Sequence, residues 1–357
     1  MPLAFFNVTD SSENVIIGVM AAITRSRTQS FGLRPMDPLK DLRGVADLIE
    51  EAFADDLDRS GQSALRELRW LSYMKPLLWW MVIFSSDHND FLSGFVWEED
   101  RKIVGNITVN RTAPGSRRWL ISNVAVSKNY RGRGIARGLM YAGMELVKEY
   151  NGASISLQVR ADNTAARHLY ESLNFREISG TTYLHLQRIP KVDKQALPPL
   201  PTEVRLRLRH FDAIDARQAY HLASASVPPE VQREWPLRQT RFRLDGQEQW
   251  LTNFFHKVVG GGSAAYWVVE NGDSFVATLN IHPGVLGKAH QLDLTVHPDW
   301  RGYLEKPLIG RALAYLYPWR SAGISLKHPA DHKEAIEVYK DFGFNESQTL
   351  IWMKYDS

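Results

Sequence analysis

Apolar and polar positions fall into recognisable periods from Phe31 onward. A short strand is expected at Phe31–Arg34. "LKDLRGVADLIEEAF" follows, with Leu42, Val45, Leu48, Ile49 and Phe53 at helical spacing. A second helical region, "ALRELRWLSYMKPLLWWM", is interrupted by Pro76, which cannot donate to a helix interior. "FLSGFVWEEDRKIVGNITV" alternates as a hairpin turning at Glu98–Lys102, and "RRWLISNVAV" reads as a further strand. After an Arg/Gly loop come a helix to about Tyr150, the strand "SISLQVR", the helix "TAARHLYESL" and a closing strand, "TTYLHLQ". The hairpin-turn carboxylates Glu98, Glu99 and Asp100 are expected to be solvated.

The order then repeats. Arg188 to Glu203 carries four prolines and no apolar period, the signature of an interdomain linker. Beyond it, "LDLTVHPDWRGYLEKPLIGRAL" lies over "VAVSKNYRGRGIARGL" at an offset of 170, placing Val296 over Val126, Trp300 over Tyr130 and Gly302 over Gly132. "HKEAIEVYKDFGF" lies over "NTAARHLYESLNF" at an offset of 169, placing Tyr339 over Tyr170 and Phe344 over Phe175. Two matches in the same order imply an internal duplication. The expected partition is a loosely ordered extension at 1–30, domains at 31–187 and 204–357, and a linker at 188–203. The apolar run Val15–Ile23 is too short for a membrane span and has the reverse flanks of a secretory leader; Met20 or a neighbour is a candidate true start.

Composition changes this picture by exclusion. A net charge of +3 over 357 residues gives no electrostatic footprint for nucleic acid. The chain has no cysteine, so disulfides, thiolate nucleophiles and acyl-cysteine intermediates are ruled out, in keeping with a cytoplasmic address. No metal-ligand spacing is evident. His282, His290, His297, His328 and His332 are expected at the surface, and Trp79, Trp80, Trp250 and Trp267 in core or interface positions.

The candidate chemistry sits in Arg131–Ala136. A helix start leaves amide donors unpaired at the positive end of the helix dipole. Gly132 and Gly134 permit positive φ and close approach, Ile135 and the small Ala136 open the helix, and Arg131 and Arg133 add mobile charge, a combination suited to a phosphate or pyrophosphate. G-x-x-x-x-G-K-[ST] is absent, and Arg137 occupies the third glycine of G-x-G-x-x-G.

The pattern Arg131-x-x-Gly134-x-Ala136 between strand and helix, followed by "NTAARHLYESLNF", resembles the GCN5-related N-acetyltransferase (GNAT) family. The resemblance implies an α/β (α+β) fold of two tandem acyl-CoA N-acyltransferase domains, each a mixed, mostly antiparallel sheet flanked by helices. It implies acetyl-CoA as co-substrate, without a metal. The backbone of Val124, Ala125 and Val126 would pair with the pantetheine, and the amides of Arg131, Gly132, Arg133, Gly134, Ile135 and Ala136 would take the pyrophosphate. Asn163 would contact the coenzyme, cap its helix, or both. Tyr170 would protonate the departing thiolate; on helical spacing alone it reads as a core tyrosine, with Ala166, Leu169 and Leu173.

The base is left open, because "ISN" (Ile121–Asn123) stands where many relatives carry a carboxylate. Glu50–Asp58 could attract a cationic amine, and Asp87, His88 and Asp90 form a second polar loop. In the second copy Leu304, Glu305, Lys306 and Pro307 replace the favourable loop chemistry, so coenzyme binding is expected in the first copy. The implied activity is transfer of an acetyl group to a primary amine, small molecule or peptide, by a monomer or homodimer that engages neither nucleic acid nor membrane. Two other readings are a non-catalytic acyl-CoA sensor and an aminoacyl-tRNA-dependent transferase of tandem fold.

Overall fold

The computed structural model describes residues 32–53, 93–193, 195–200, 206–242, 263–284, 288–320 and 322–357. The expected extension 1–30, the helical region around Pro76, Asp55–Asp58, Asp87, His88, Asp90, Trp79, Trp80 and Trp250 lie outside them. The chain forms two compact units, Met1–Leu157 with Asp356–Ser357, and Gln158–Tyr355.

In the first unit β1 (Gly32–Pro35), β2 (Gly94–Glu99), β3 (Lys102–Arg111) and β4 (Arg118–Val126) form an antiparallel meander. β4 then runs parallel to the start of β5 (Ser154–Arg160), with pairing from Arg118↔Ser154 to Ile121↔Leu157. Helix α1 (Pro38–Phe53) buries Leu42, Val45, Leu48 and Ile49, four of the five positions expected from its period, together with Ala46. Helix α2 (Ile135–Glu149) buries Ile135, Leu139, Met140 and Val147. Each fully buried side chain of this kind contributes about 1.5–3 kcal/mol. Gly143 brings α2 close to β3: a Cβ there would meet Ile107 and Val109 side chains at 3.1 Å.

The second unit repeats the plan. β7 (Leu206–His210), β8 (Ala265–Asn271), β9 (Ser274–His282) and β10 (Gln291–Val296) are antiparallel neighbours. A parallel bridge from His290 to Ile324 leads to β11 (Ile324–Pro329). Its helices are α3 (Thr164–Glu171), α4 (Ala216–Ser226), α5 (Pro229–Glu234), α6 (Glu305–Leu316) and α7 (Lys333–Asp341). α6 begins 170 residues after α2, as the sequence offset requires.

An ion-pair fastener that pattern reading missed appears in both copies. Arg34 donates through Nε to Glu98 and through both terminal nitrogens to Asp41, whose carboxylate also accepts from the Asp37 amide. Arg209 makes the same three bonds to Glu270 and Asp215, and Asp215 accepts from the Asp212 amide. Each bidentate pair ties the first strand to the helix that follows it. Glu98 is therefore a structural partner, not the solvated turn residue expected.

The described part of the expected linker, residues 188–193 and 195–200, packs as part of the second unit. Ile189 is buried in the same core cluster as Leu308 and Leu326, and Val192 and Leu200 lie against that cluster. β6 (Arg176–Leu186), expected to close the first copy, pairs with β11 from Thr181↔Pro329 to Leu186↔Ile324 and on its other edge with β12 (Asn345–Asp356). These two ladders explain why the compact units divide ahead of the proline-rich segment, after Leu157.

Candidate functional site

The first-unit cradle begins with an irregularity in β4. Asn106 pairs with Ala125 and Thr108 with Ser122, so Ile107 faces two residues, Asn123 and Val124. Asn123 takes φ +52°, a left-handed conformation that asparagine tolerates better than most residues. The Asn106 side-chain amide donates to the Asn123 carbonyl at 3.0 Å and holds the bulge. Such a bulge takes backbone groups out of the one-to-one ladder and bends the strand. On the opposite edge, the ladder with β5 ends at Ile121, leaving Ser122–Val126 beyond it. This is the stretch expected to receive an extended ligand, including Val124, Ala125 and Val126.

Ser127 opens a short 3-10 turn, Lys128–Tyr130, and its amide donates to the Val104 carbonyl. Glu51, in the last turn of α1, accepts from the Ser127 hydroxyl at 2.8 Å and the Lys128 amide at 3.2 Å. The Ser127 hydrogen bond holds its carboxyl below the usual range, with backbone and lysine contributions behind it. Glu51 thus anchors the entrance of the loop. Sequence reading had grouped it with an acidic run, because nothing local distinguishes it from Glu50.

Gly132 and Gly134 adopt φ +78° and +80°, and open space surrounds the position of a Cβ at each. Gly134 is the N-cap of α2 and makes no side-chain cap. The amides that open α2 therefore face an exposed glycine surface, which suits an anion. Arg131 is exposed and donates from Nε to the Val126 carbonyl. Arg133 lies 4.8 Å over the Tyr130 ring, donates to the Asn129 carbonyl and approaches Glu99 at 3.8 Å. Ile135 is buried and anchors the first turn, while Ala136 is half-buried. Among the described residues no Cβ blocks the helix entrance, so the residues present fit a pyrophosphate.

Asn163 and Tyr170 lie on the second unit's α3. Asn163 Oδ1 accepts from the Ala166 amide at 3.1 Å, so this residue does cap its helix. Tyr170 is 6% exposed, with its ring 6.1 Å from Phe175. Burial pushes its phenol up to about 12.

The second copy has spent its own helix entrance. Gly302 keeps φ +86°, but Leu304 occupies the position of Gly134 with φ −102° and is buried. Glu305, also buried, accepts from the Leu304 amide at 3.1 Å and contacts His332 Nε2 at 2.7 Å. His332 Nδ1 meets His328 Nε2 at 2.9 Å. A covalently attached carboxylate therefore occupies the helix entrance that the first copy leaves open. β10 also lacks the bulge, pairing with β9 in unbroken register from Gln291↔His282 to Val296↔Ala277.

The expectation of surface histidines is corrected for His290, His328 and His332, at 0%, 2% and 2% exposure. Single-sequence reading places histidine outside by default because the partners that pay its desolvation are distant in the chain. Burial lowers the His328 pKa to about 3, helped by His332 and Arg301. The unfolded chain binds that proton near the ordinary value of about 6.5. Below it the unfolded state holds more protons, so stability is expected to fall as pH drops from about 6.5 towards 3. His328→Asn should flatten that fall in urea melts at pH 7 and pH 4.5; an unchanged pH dependence would contradict the buried neutral imidazole.

Among the described residues, no helix is long and apolar enough to cross a membrane. Residues 49–175 match the acetyltransferase (GNAT) family model. An N-alpha-acetyltransferase of Saccharolobus solfataricus is 41% identical over 63 residues, 17% of this chain and 38% of that protein. One from Sulfurisphaera tokodaii is 32% identical over 94 residues, 24% of this chain and 56% of that protein. The matched stretches thus span less than two thirds of either relative. A GCN5-related N-acetyltransferase structure from Sphaerobacter thermophilus superposes with a TM-score of 0.56 at 16% identity, covering 92% of this chain and 96% of that one. That likeness extends the fold over nearly the whole chain, two tandem copies of a mixed, mostly antiparallel sheet flanked by helices. The segment 49–175, which contains the bulged strand and the glycine-led helix entrance, is the part of the chain that matches the acetyltransferase (GNAT) family.

Proposed function

We propose that the chain is an acetyl-CoA-dependent N-acetyltransferase whose first copy, within 31–187, holds the coenzyme, while the copy within 204–357 does not. The observation that carries the reading is the uncapped entrance of α2 at Gly134 beside the bulged β4, set against the self-capped Glu305 entrance of α6. Acetyl-CoA would supply a thioester carbonyl activated for attack. The amides of Arg131–Ala136 would take its pyrophosphate, and the β4 edge at Val124–Val126 would pair with the extended pantetheine through main-chain hydrogen bonds.

As the amine nitrogen bonds to the acetyl carbon, the carbon–sulfur bond breaks and the departing sulfur takes a proton. Tyr170 keeps its phenolic proton at neutral pH and is the proposed donor; the ammonium proton leaves to a base or to water. Asn123 carries no carboxylate and can only orient water at its position. The relatives named N-alpha-acetyltransferases make a peptide α-amine the first acceptor class to test.

Isothermal titration with acetyl-CoA, followed by a free-thiol release assay over peptide and small-molecule amines, tests the reading. Expected are coenzyme binding and amine-dependent thiol release. Binding without release on any amine would leave a sensor, and absence of binding would remove the coenzyme assignment.

A further inference from the structure

Tyr170 owes its place to the chain that follows it. Its carbonyl accepts from the Leu173 and Phe175 amides, each at 3.0 Å, and Asn174 turns the backbone with φ +64°. Asparagine in the left-handed region is a recurrent way to end a helix and reverse direction. Phe175 therefore folds back beside the tyrosine, buried, with its ring 6.1 Å from that of Tyr170.

Behind Phe175 stands a residue of the other copy. Phe175 immediately precedes β6 and Tyr355 follows Lys354 in β12, and the register Arg176↔Lys354 brings the two rings together. Their centroids lie 5.5 Å apart with the planes tilted by 34°, a separation at which aromatic rings attract. Helix α5 clamps this end of β12, since Lys354 pairs with Glu234 at 2.9 Å and Trp352 packs on Trp235 at 4.4 Å. At the other end of α3 the Ala161 amide donates to the Thr349 carbonyl at 2.8 Å. β12 thus meets α3 ahead of its cap and again behind its last turn. All of these residues lie in one compact unit, Gln158–Tyr355.

The second copy supplies an internal comparison. There the Phe344 amide donates to the Tyr339 carbonyl at 3.0 Å, and the two rings are 5.1 Å apart. The 169-residue offset places Leu186 of β6 where the first copy has Tyr355, and Leu186 shares a buried cluster with Tyr339 and Phe344. Each tyrosine is backed by a phenylalanine and then by a strand of the other copy. Only the first copy carries that support to a third ring, and only its tyrosine keeps any exposed surface.

We infer that Tyr355 is a positioning residue for Tyr170, acting through Phe175, so that the closing strand of the second copy aims the proton donor of the first. The inference rests on the proposed role of Tyr170. A reacting group must be held within about 0.5 Å of its productive place by side chains whose own rotamers are locked. Leucine at position 355 fills the space but leaves the Phe175 ring without a flat partner against which to hold its tilt.

The test uses the full chain, acetyl-CoA and a peptide with a free α-amine, together with NMR of tyrosine labelled with carbon-13 in the ring. Tyr355→Leu is expected to lower kcat about tenfold, the scale of a sub-ångström misplacement. Both KM values should stay within about twofold, because binding is untouched. Tyr355→Phe, which keeps the ring, should restore the wild-type rate. In a Tyr170→Phe background Tyr355→Leu should cost nothing more, since the group it positions is gone. The Tyr170 ring signals, identified by their loss in Tyr170→Phe, should shift or broaden in Tyr355→Leu while those of Tyr339 stay in place. This readout needs no acceptor and decides if the peptide does not turn over. Wild-type kcat or unmoved Tyr170 signals in Tyr355→Leu, or an equal further loss on top of Tyr170→Phe, would overturn the inference and leave the role of Tyr170 standing. Wild-type rates in Tyr170→Phe would remove the proton donor itself and the inference with it. If Tyr355→Leu does not fold, Phe175→Leu, which removes the middle ring, must give the same split and the same spectral change.

Discussion

Gly134→Glu is expected to lower acetyl-CoA affinity at least a hundredfold while the chain still folds. Gly134 sits at φ +80°, and among the described residues open space surrounds the position of a Cβ, so the substitution meets no steric wall there. Its conformational cost is about 1–2 kcal/mol for an L-residue held in the left-handed region. The functional cost is larger. A carboxylate at the entrance of α2 competes directly for the amides that would hold the pyrophosphate and repels its negative charge. The second copy shows the same device already in place: Glu305 turns back on the Leu304 amide. A hundredfold loss corresponds to about 2.7 kcal/mol. Gly134→Ala separates the two contributions, since it carries the backbone strain without the charge and should lose much less affinity. Titration calorimetry and urea melts on both variants read the result, and unchanged affinity in Gly134→Glu would remove the site assignment.

Tyr170→Phe is expected to slow turnover about a hundredfold, within the usual range for loss of a general acid, with coenzyme affinity changed less than about twofold. The ring packs against Phe175 and the substitution keeps the ring, so the fold should be retained. Tyr339→Phe is the matched comparison. Its hydroxyl is buried without a hydrogen-bond partner among the described residues, so its removal should cost no stability and leave turnover unchanged. Equal losses in the two variants, or wild-type rates in Tyr170→Phe, would return Tyr170 to a packing role.

The pKa of about 12 adds a pH test. The folded state holds the Tyr170 proton above pH 10 while the unfolded chain releases it. This contribution to stability is therefore complete below about pH 10 and is lost as pH rises towards 12. Tyr170→Phe should reduce the fall in stability between pH 9 and 11.

Local information in the chain carried the elements a long way. β5 was read at Ser154–Arg160 and is observed at those residues, because its apolar run is bounded by turn-forming neighbours. Leu42, Val45, Leu48 and Ile49 of the stripe that the period of α1 marks are buried, and Gly132 and Gly134 take the positive φ that their loop favours. The duplication was legible because both copies keep their helix starts in register.

Other features needed contacts between residues far apart in the chain. The Arg34–Asp41–Glu98 and Arg209–Asp215–Glu270 fasteners are sequence-silent, since each residue alone looks like surface charge. Glu51 acquires its role only where Ser127 meets it, and the buried chain Glu305–His332–His328 exists only because α6, α7 and β11 converge.

By itself the sequence determined the order of the described helices and strands in the first copy, that the plan occurs twice, and which copy opens a helix on glycines rather than on a bulky residue and a carboxylate. Those features depend on backbone sterics and side-chain period within a few residues. The tertiary structure alone decided that β6 lies between β11 and β12, that His290, His328 and His332 lie inside, and that β4 bulges where β10 does not. Strand pairing and charge burial take their energy from partners tens to hundreds of positions away, which no local window contains.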